Sequence, residues 1–330
     1  MNNDIYTYLI KNKLYSGNDD VFNTLLDLDN EHPEASEICL DLRNLKDLNP
    51  FNMLLIARKI NKFRQKYSSK PFGFLRDDVN DYLGHMGFYN AMGSDLYGKK
   101  MGEARGSNTY IPIHEIDFND RNFYYEIEPL AQKLSEVFQF DLNLANFIQY
   151  AFVETIRNVY EHSQSNKAFV CAQRWDSHNL VEIAVLDEGC GVSQAMKRYS
   201  PSSTEEELLH LSVLPGVSAK TNHAFLGKND EWSNSGYGLY ILKELCKTYK
   251  GSFTICSNNY AIRYFSSGET KLYNTSFCGT VVCLRFLTNL NIDFSKERSR
   301  IVGEGQKVAR QNKGAIKKAS KSSGGKYGQA

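Results

Sequence analysis

Hydrophobic positions along this chain fall into two rhythms, and the switch between them marks out its elements. Short apolar runs that read as strands occur at 37–43, 110–116, 168–175, 180–186, 252–257 and 280–286. Longer segments with helical spacing lie at 126–138, 141–163 and 238–249. Asn49-Pro50 opens another helix, with Met53, Leu54, Ile56, Ala57, Ile60 and Phe63 apolar and Lys59, Lys62, Arg64 and Lys66 mostly on its wet face. Pro112 marks the 110–116 run as an edge strand, because proline cannot donate to a sheet ladder. Between 83 and 88 two glycines interrupt an apolar stretch and predict a turn between short elements. The segment 99–107 is rich in glycine and charge, and reads as a loop or linker. The pattern predicts an α/β (α+β) chain in three parts: a small α/β module over 1–122, a helix-covered sheet over 123–290, and a tail over 291–330. Within the second part, 200–235 is polar and carries one short helical pattern at 205–212. That is too long for an ordinary connection and reads as a lid.

Composition narrows the class. With 330 residues and 42% hydrophobic content the chain is globular rather than disordered or fibrous. The formal net charge of +1 conceals an uneven distribution. From Lys296 onward ten Lys/Arg face Glu297 and Glu304, roughly +8, which leaves the rest at about −7. This tail lacks evident apolar periodicity and is expected to be disordered. It fits salt-sensitive contact with nucleic acid or an anionic surface, although a solubilising tail is the simpler reading. Seven cysteines without a CxxC pair argue against a disulfide framework or a structural zinc site, and read mainly as small buried hydrophobes. The opening residues do not resemble an export signal and no apolar run reaches the ~18 residues a bilayer requires, so the expected location is cytoplasmic, with no membrane span.

Candidate chemistry lies in three separated segments. On the 141–163 helix, Ile148, Phe152, Thr155, Ile156 and Val159 form the face expected to meet the sheet, and Glu154, Asn158 and His162 follow one another by single turns elsewhere. Asn158 can offer a neutral oxygen to Mg2+, and Glu154 can act as a base toward water or a hydroxyl. Taken alone, such spacing usually marks a solvated face. A strand then runs into Asp187-Glu-Gly189-Cys-Gly191, where glycines allow a sharp turn and the carboxylate can accept a hydrogen bond from an exocyclic amine. The third segment, Asn234-Ser-Gly236-Tyr-Gly238-Leu239, feeds a helix whose first N–H groups suit phosphate.

In this order the three segments resemble the N, G1 and G2 boxes of the GHKL ATPase superfamily, the group of gyrase B, Hsp90, histidine kinases and MutL. The resemblance covers roughly 123–287 and implies a Bergerat-type α/β sandwich, with ATP held between helices and lid over one face of a mixed sheet. It implies Glu154 as general base, Asn158 as Mg2+ ligand, Asp187 as the adenine-binding acid, and Gly189 with Gly191 as the first glycine pair. Gly236 and Gly238, leading into Leu239, match the phosphate loop. The run Pro215-Gly216-Val-Ser-Ala-Lys220 looks like the lid segment, with Lys220 a candidate phosphate ligand and a solvated lysine the alternative.

The implied cofactors are ATP and Mg2+. The only upstream His-Glu pair of the kind a histidine kinase would phosphorylate, His114-Glu115, follows Pro112 inside a strand-like run and is not read as an acceptor. The retained Glu154 resembles the hydrolytic and anti-sigma serine-kinase branches. The expected function is ATP-dependent signalling, by phosphorylating a protein partner or by hydrolysis; the alternative is a nucleotide-dependent switch or binding scaffold with little turnover. The N-terminal unit looks like a STAS module, the fold of anti-sigma-factor antagonists, although a generic strand-helix unit is the other reading. Asn49-Pro50-Phe51 stands where signalling members carry a phosphorylatable Asp-Ser, so the likeness implies a docking platform for a STAS or anti-sigma-type regulator rather than a phosphoswitch. A second copy of the chain is a further candidate partner.

Overall fold

A computed structural model describes residues 5–9, 20–30, 34–45, 48–76, 82–104, 109–119, 123–137, 141–218, 236–312, 315 and 319. The first part is built from β1 (Ile5–Leu9), α1 (Asp20–Asp27), β2 (Glu37–Asp41), α2 (Pro50–Lys66), β3 (Phe72–Leu75), α3 (Tyr82–His85) and α4 (Phe88–Ala91). Its three strands form a parallel sheet in the order β1-β2-β3. Helix α2 starts where the sequence places it because the Asn49 side chain accepts the Asn52 amide at 2.9 Å and Pro50 occupies the first turn, where its missing N–H costs nothing.

The second part comprises β4 (Tyr110–Asp117), α5 (Phe123–Val137), α6 (Leu142–Asn158), a π-helical turn (Val159–Ser163), β5 (Lys167–Trp175), β6 (Leu180–Asp187), α7 (Gly191–Met196), α8 (Glu205–Ser212), α9 (Gly238–Thr248), β7 (Ser252–Phe265) and β8 (Thr270–Leu287). Its five strands run in the order β4-β5-β6-β8-β7. Every pairing is antiparallel, which corrects the expected mixed sheet. Pro112 lies on the edge strand β4, beside a register shift between Ile111 and His114. The hairpin β7-β8 runs well beyond the two short strands expected of it.

Alternation in this sheet feeds two cores. Val181, Ile183 and Val185 of β6, with Val282, Leu284 and Phe286 of β8, face one cluster containing Phe147, Ile148 and Ile241 from α6 and α9. Ala184 and Leu186, with Val281 and Cys283, face the other, which contains Leu54, Ile56 and Ile60 of α2. Both faces are therefore buried, which explains why the strands read as nearly continuous apolar runs. The 1–122 unit shares this second core, so the expected boundary at 122 runs beside a common interior rather than between separate ones. Lys59, expected on the wet face of α2, is buried, and its ammonium donates to the Ser276 carbonyl at 2.6 Å and pairs with Asp29.

The expected disordered tail needs correction over its first half. Residues Phe294–Gln311 form α10, capped by Asp293, with Ile301, Val302 and Ala309 buried. The helix lies against α6 and α9. All seven cysteines are free, four of them buried. Among the described residues no helix is long and apolar enough to cross a membrane.

Candidate functional site

The three candidate segments converge on one cavity, at the end of β6 on the α6/α9 side of the sheet. Asp187 is the last residue of β6 and is 3% exposed. It pairs in register with Thr280 of β8, and its Oδ1 accepts the Gly189 amide at 2.9 Å. Burial pushes its carboxyl up to about 7, against the pull of the Gly189 and Thr280 amides. Strand alternation then places Val185, Ile255 and Val282 across the floor as an apolar bed.

Helix α6 supplies the opposite wall through Thr155 and Asn158. Directly after Asn158 the backbone widens into the π turn, which brings His162 and Ser163 into the same wall. The Ser163 carbonyl accepts the Cys190 amide at 2.7 Å. Gly189 touches that carbonyl so closely that a Cβ would lie 2.0 Å from its oxygen, and no side chain is admissible there. Gly191 opens α7 and lines the cavity.

The third wall is the start of α9. Gly236, Gly238 and Leu239 line the cavity, and the Gly236 carbonyl accepts the Gly216 amide at 3.0 Å. Helix starts present unsatisfied N–H groups and a partial positive charge, so this wall favours an anion. Gly238 is required for space: a Cβ there would stand 2.6 Å from Glu154 Oε2. Glu154 itself is fully buried, with Arg157 Nη2 donating to its Oε2 at 3.3 Å. Its Oε1 has no hydrogen-bond partner among the described residues. Burial raises its pKa, opposed by the nearby Arg157 and Arg298 charges.

Of the expected site residues, Asn158, Asp187, Gly191, Gly236, Gly238 and Leu239 share the cavity wall. Glu154 and Gly189 are packed behind that wall, and Gly216 reaches it through its bond to Gly236. Lys220 lies outside the described residues, as does the rest of the expected lid from 219 to 235. Thr280 was not foreseen, yet strand alternation carries the signal for it: Thr280 and Val282 project to the same side as Asp187 and Val185.

The void among these residues is about 100 Å3. That is room for on the order of seven to ten water-sized bodies, or one flat ring system. An apolar bed, a buried acid at one end and an amide beside a helix start at the other suit a planar ligand with an amine on one side and negative charge on the other. Among the described residues no three His, Cys, Asp or Glu side chains gather to hold a metal. A cation here would combine the Asn158 amide oxygen with oxygens carried by the ligand, which is how Mg2+ is commonly held beside phosphates. Compared with known proteins, the chain matches no family model and no curated protein sequence.

Proposed function

We propose that this chain is an ATP-binding signalling protein of the GHKL class, with 123–290 forming a Bergerat-type domain and 1–122 a STAS-like docking module. The observation that carries this reading is the convergence of Asn158, Asp187 and the Gly236–Gly238 loop, from three distant parts of the sequence, on one cavity. The parallel β1-β2-β3 sheet with its intervening helices supports an α/β docking unit.

In this reading Asp187 accepts the exocyclic amine of adenine on acceptor capacity beyond that taken by the Gly189 and Thr280 amides, since a carboxylate has about four lone-pair sites. Val185, Ile255 and Val282 take the ring face. The α9 N–H groups receive phosphate oxygens, and Asn158 Oδ1 holds Mg2+. When bound, Mg2+·ATP supplies a transferable phosphoryl group and the cation that offsets its charge. In this reading Glu154 Oε1, buried and lacking a partner among the described residues, takes a proton from a partner hydroxyl or from water once it is uncovered.

One observation favours the slower alternative, in which nucleotide is held as a switch with little turnover. Glu154 is shut behind Gly238 and tied to Arg157 rather than exposed to the cavity. Turnover then requires α9 to shift and uncover it.

Calorimetry with Mg2+·ATP tests the binding, and γ-labelled ATP with host lysate tests the chemistry. Saturable binding that is lost in Asp187→Asn is the expected result, and absence of binding to the unaltered chain overturns the reading. Label on a host protein that disappears in Glu154→Ala identifies a kinase, and free phosphate alone identifies a hydrolase. Binding without either product identifies the switch.

A further inference from the structure

Helix α10 reaches the nucleotide cavity from outside, along the length of α9. Near its start, the hydroxyl of Thr248, the last residue of α9, donates to Glu297 Oε1 at 2.8 Å. Eight residues further along α10, Gly305 lies against Tyr240, eight residues back along α9. The two helices therefore run side by side in opposite directions, and the far half of α10 falls beside the first turn of α9. A Cβ at Gly305 would stand 2.6 Å from Tyr240 Cε1, 3.1 Å from Pro215 Cβ and 3.2 Å from Tyr237 Cε1. Glycine weakens a helix interior, and its place here matches the closeness of that approach.

Those three neighbours frame the cavity wall. Tyr237 is fully buried and sits between Gly236 and Gly238, both of which line the cavity. Pro215 precedes Gly216, whose amide bonds the Gly236 carbonyl at 3.0 Å. Tyr240 shares a helical turn with Gly238, which lies against Glu154. One residue of α10 thus abuts both flanks of the glycine loop that shuts Glu154 away. The other end of α10 is anchored to α6, the helix that carries Glu154. The Phe294 amide donates to Asn143 Oδ1 at 3.3 Å, and the Phe294 and Arg298 side chains pack on Tyr150, four residues before Glu154. Held to α6 at one end and to the start of α9 at the other, α10 fixes the separation of these two walls.

We infer that α10 is a brake on the nucleotide site, with Gly305 and Tyr237 as positioning residues. While α10 is seated, Gly238 stays across Glu154; when α10 loosens, α9 shifts and the carboxylate is uncovered. What the uncovered Glu154 then does rests on the nucleotide reading above. There, water adds to the γ-phosphorus as the bond to ADP breaks, and Glu154 takes the proton of that water.

Carboxyl labelling with a carbodiimide and glycinamide, read at Glu154 by mass spectrometry in the ligand-free whole chain, tests the contact. Gly305→Ala wedges α10 away from α9, and Thr248→Val removes the hydrogen bond at the far end. Leu25→Ala, in the core on the opposite face of the sheet, loosens the molecule without touching α10. Urea unfolding confirms that each variant is folded. Label should enter Glu154 about tenfold faster in Gly305→Ala, by a smaller factor in Thr248→Val, and at the unaltered rate in Leu25→Ala. Unchanged labelling in Gly305→Ala overturns the inference. Equal acceleration in Leu25→Ala also overturns it, because general loosening would then account for the effect. Calorimetry with Mg2+·ATP judges the nucleotide reading separately: faster labelling in a chain that binds no ATP keeps the contact and discards that reading. In a chain that binds ATP, ADP formation should rise about tenfold in Gly305→Ala and fall back when Glu154→Gln is added; uncovering without that rise overturns the brake.

Discussion

Asp187 is a carboxyl group whose ordinary value is 3.8 and which burial holds near 7. In the folded, ligand-free chain it keeps its proton over a window where the unfolded chain has lost it. Its contribution to stability is therefore full below about 4 and lost as pH rises toward 7. The ligand-free chain should show a larger gain in thermal midpoint on going from pH 7.5 to 5.5 than Asp187→Asn does, and equal gains would remove this assignment. Nucleotide binding should run the other way. An amine donor needs the ionised carboxylate, so affinity should fall by up to about tenfold per unit as pH drops below 7, and calorimetry across pH 5.5–8 reads this directly. Gly238→Ala places a methyl group against Glu154, and overpacking of that kind costs about 1–3 kcal/mol, visible as a lower urea midpoint together with weaker nucleotide binding. The sequence showed which residues to examine here but not that Glu154 would stand behind the wall. Helical spacing fixes the angle of a side chain around its own axis, whereas the closeness of Gly238 arises only when α9 docks against α6.

Helix α10 shows how an element can be written illegibly. Its buried positions include Phe294, Arg298, Ile301, Val302, Gly305 and Ala309, a helical stripe in which an arginine and a glycine replace two apolar residues. Arg298 fits because its guanidinium lies 5.1 Å from the ring centroids of both Tyr150 and Phe294, with its alkyl stem inside the stripe. Gly305 fits because a Cβ there would meet the Tyr240 ring at 2.6 Å. A reading based on apolar periodicity and on the excess of lysine and arginine passes over such a helix. Ile301, fully buried, tests it: Ile301→Ala should cost about 2–4 kcal/mol by urea unfolding, while a chain whose residues from 294 onward do no structural work would lose nothing. The extended hairpin was obscured for a different reason. Beyond Ser257 a register shift at Asn258 interrupts the ladder, and the tip at 266–269 is polar, so the strand pattern visible at 252–257 is broken even though pairing continues to Thr270. The three segments of the site, by contrast, were readable because each combines a local signal with a regular element: polar residues one turn apart on a helix, a strand end and a glycine-led helix start.

Across the whole molecule, the N-terminal unit serves as the lining of the second sheet face. Arg58 of α2 grips Glu188 through two hydrogen bonds, of 3.1 and 2.8 Å, and lies 4.2 Å above the Phe169 ring. Glu188 is the residue next to Asp187, so this contact couples α2 to the strand end that shapes the nucleotide cavity. Arg58→Ala should reduce stability by about 1–3 kcal/mol and weaken nucleotide binding without touching the ligand; unchanged affinity would confine Arg58 to a structural role. Residues 109–312, which keep β4 and the whole second sheet, should aggregate when expressed alone, because Phe169, Leu186 and Val281 would face water as one patch, and a monodisperse fragment by light scattering would show that the second face needs no cover. The two sides of the sheet also set a rule for how the chain can change in length. Successive residues of β6 serve opposite rooms, Asp187 one and Glu182 the other, so inserting or deleting a single residue within the strand would exchange their occupants. Variation in length along this strand is thus restricted to even steps, while the turn at 176–179 that leads into it is free of that parity.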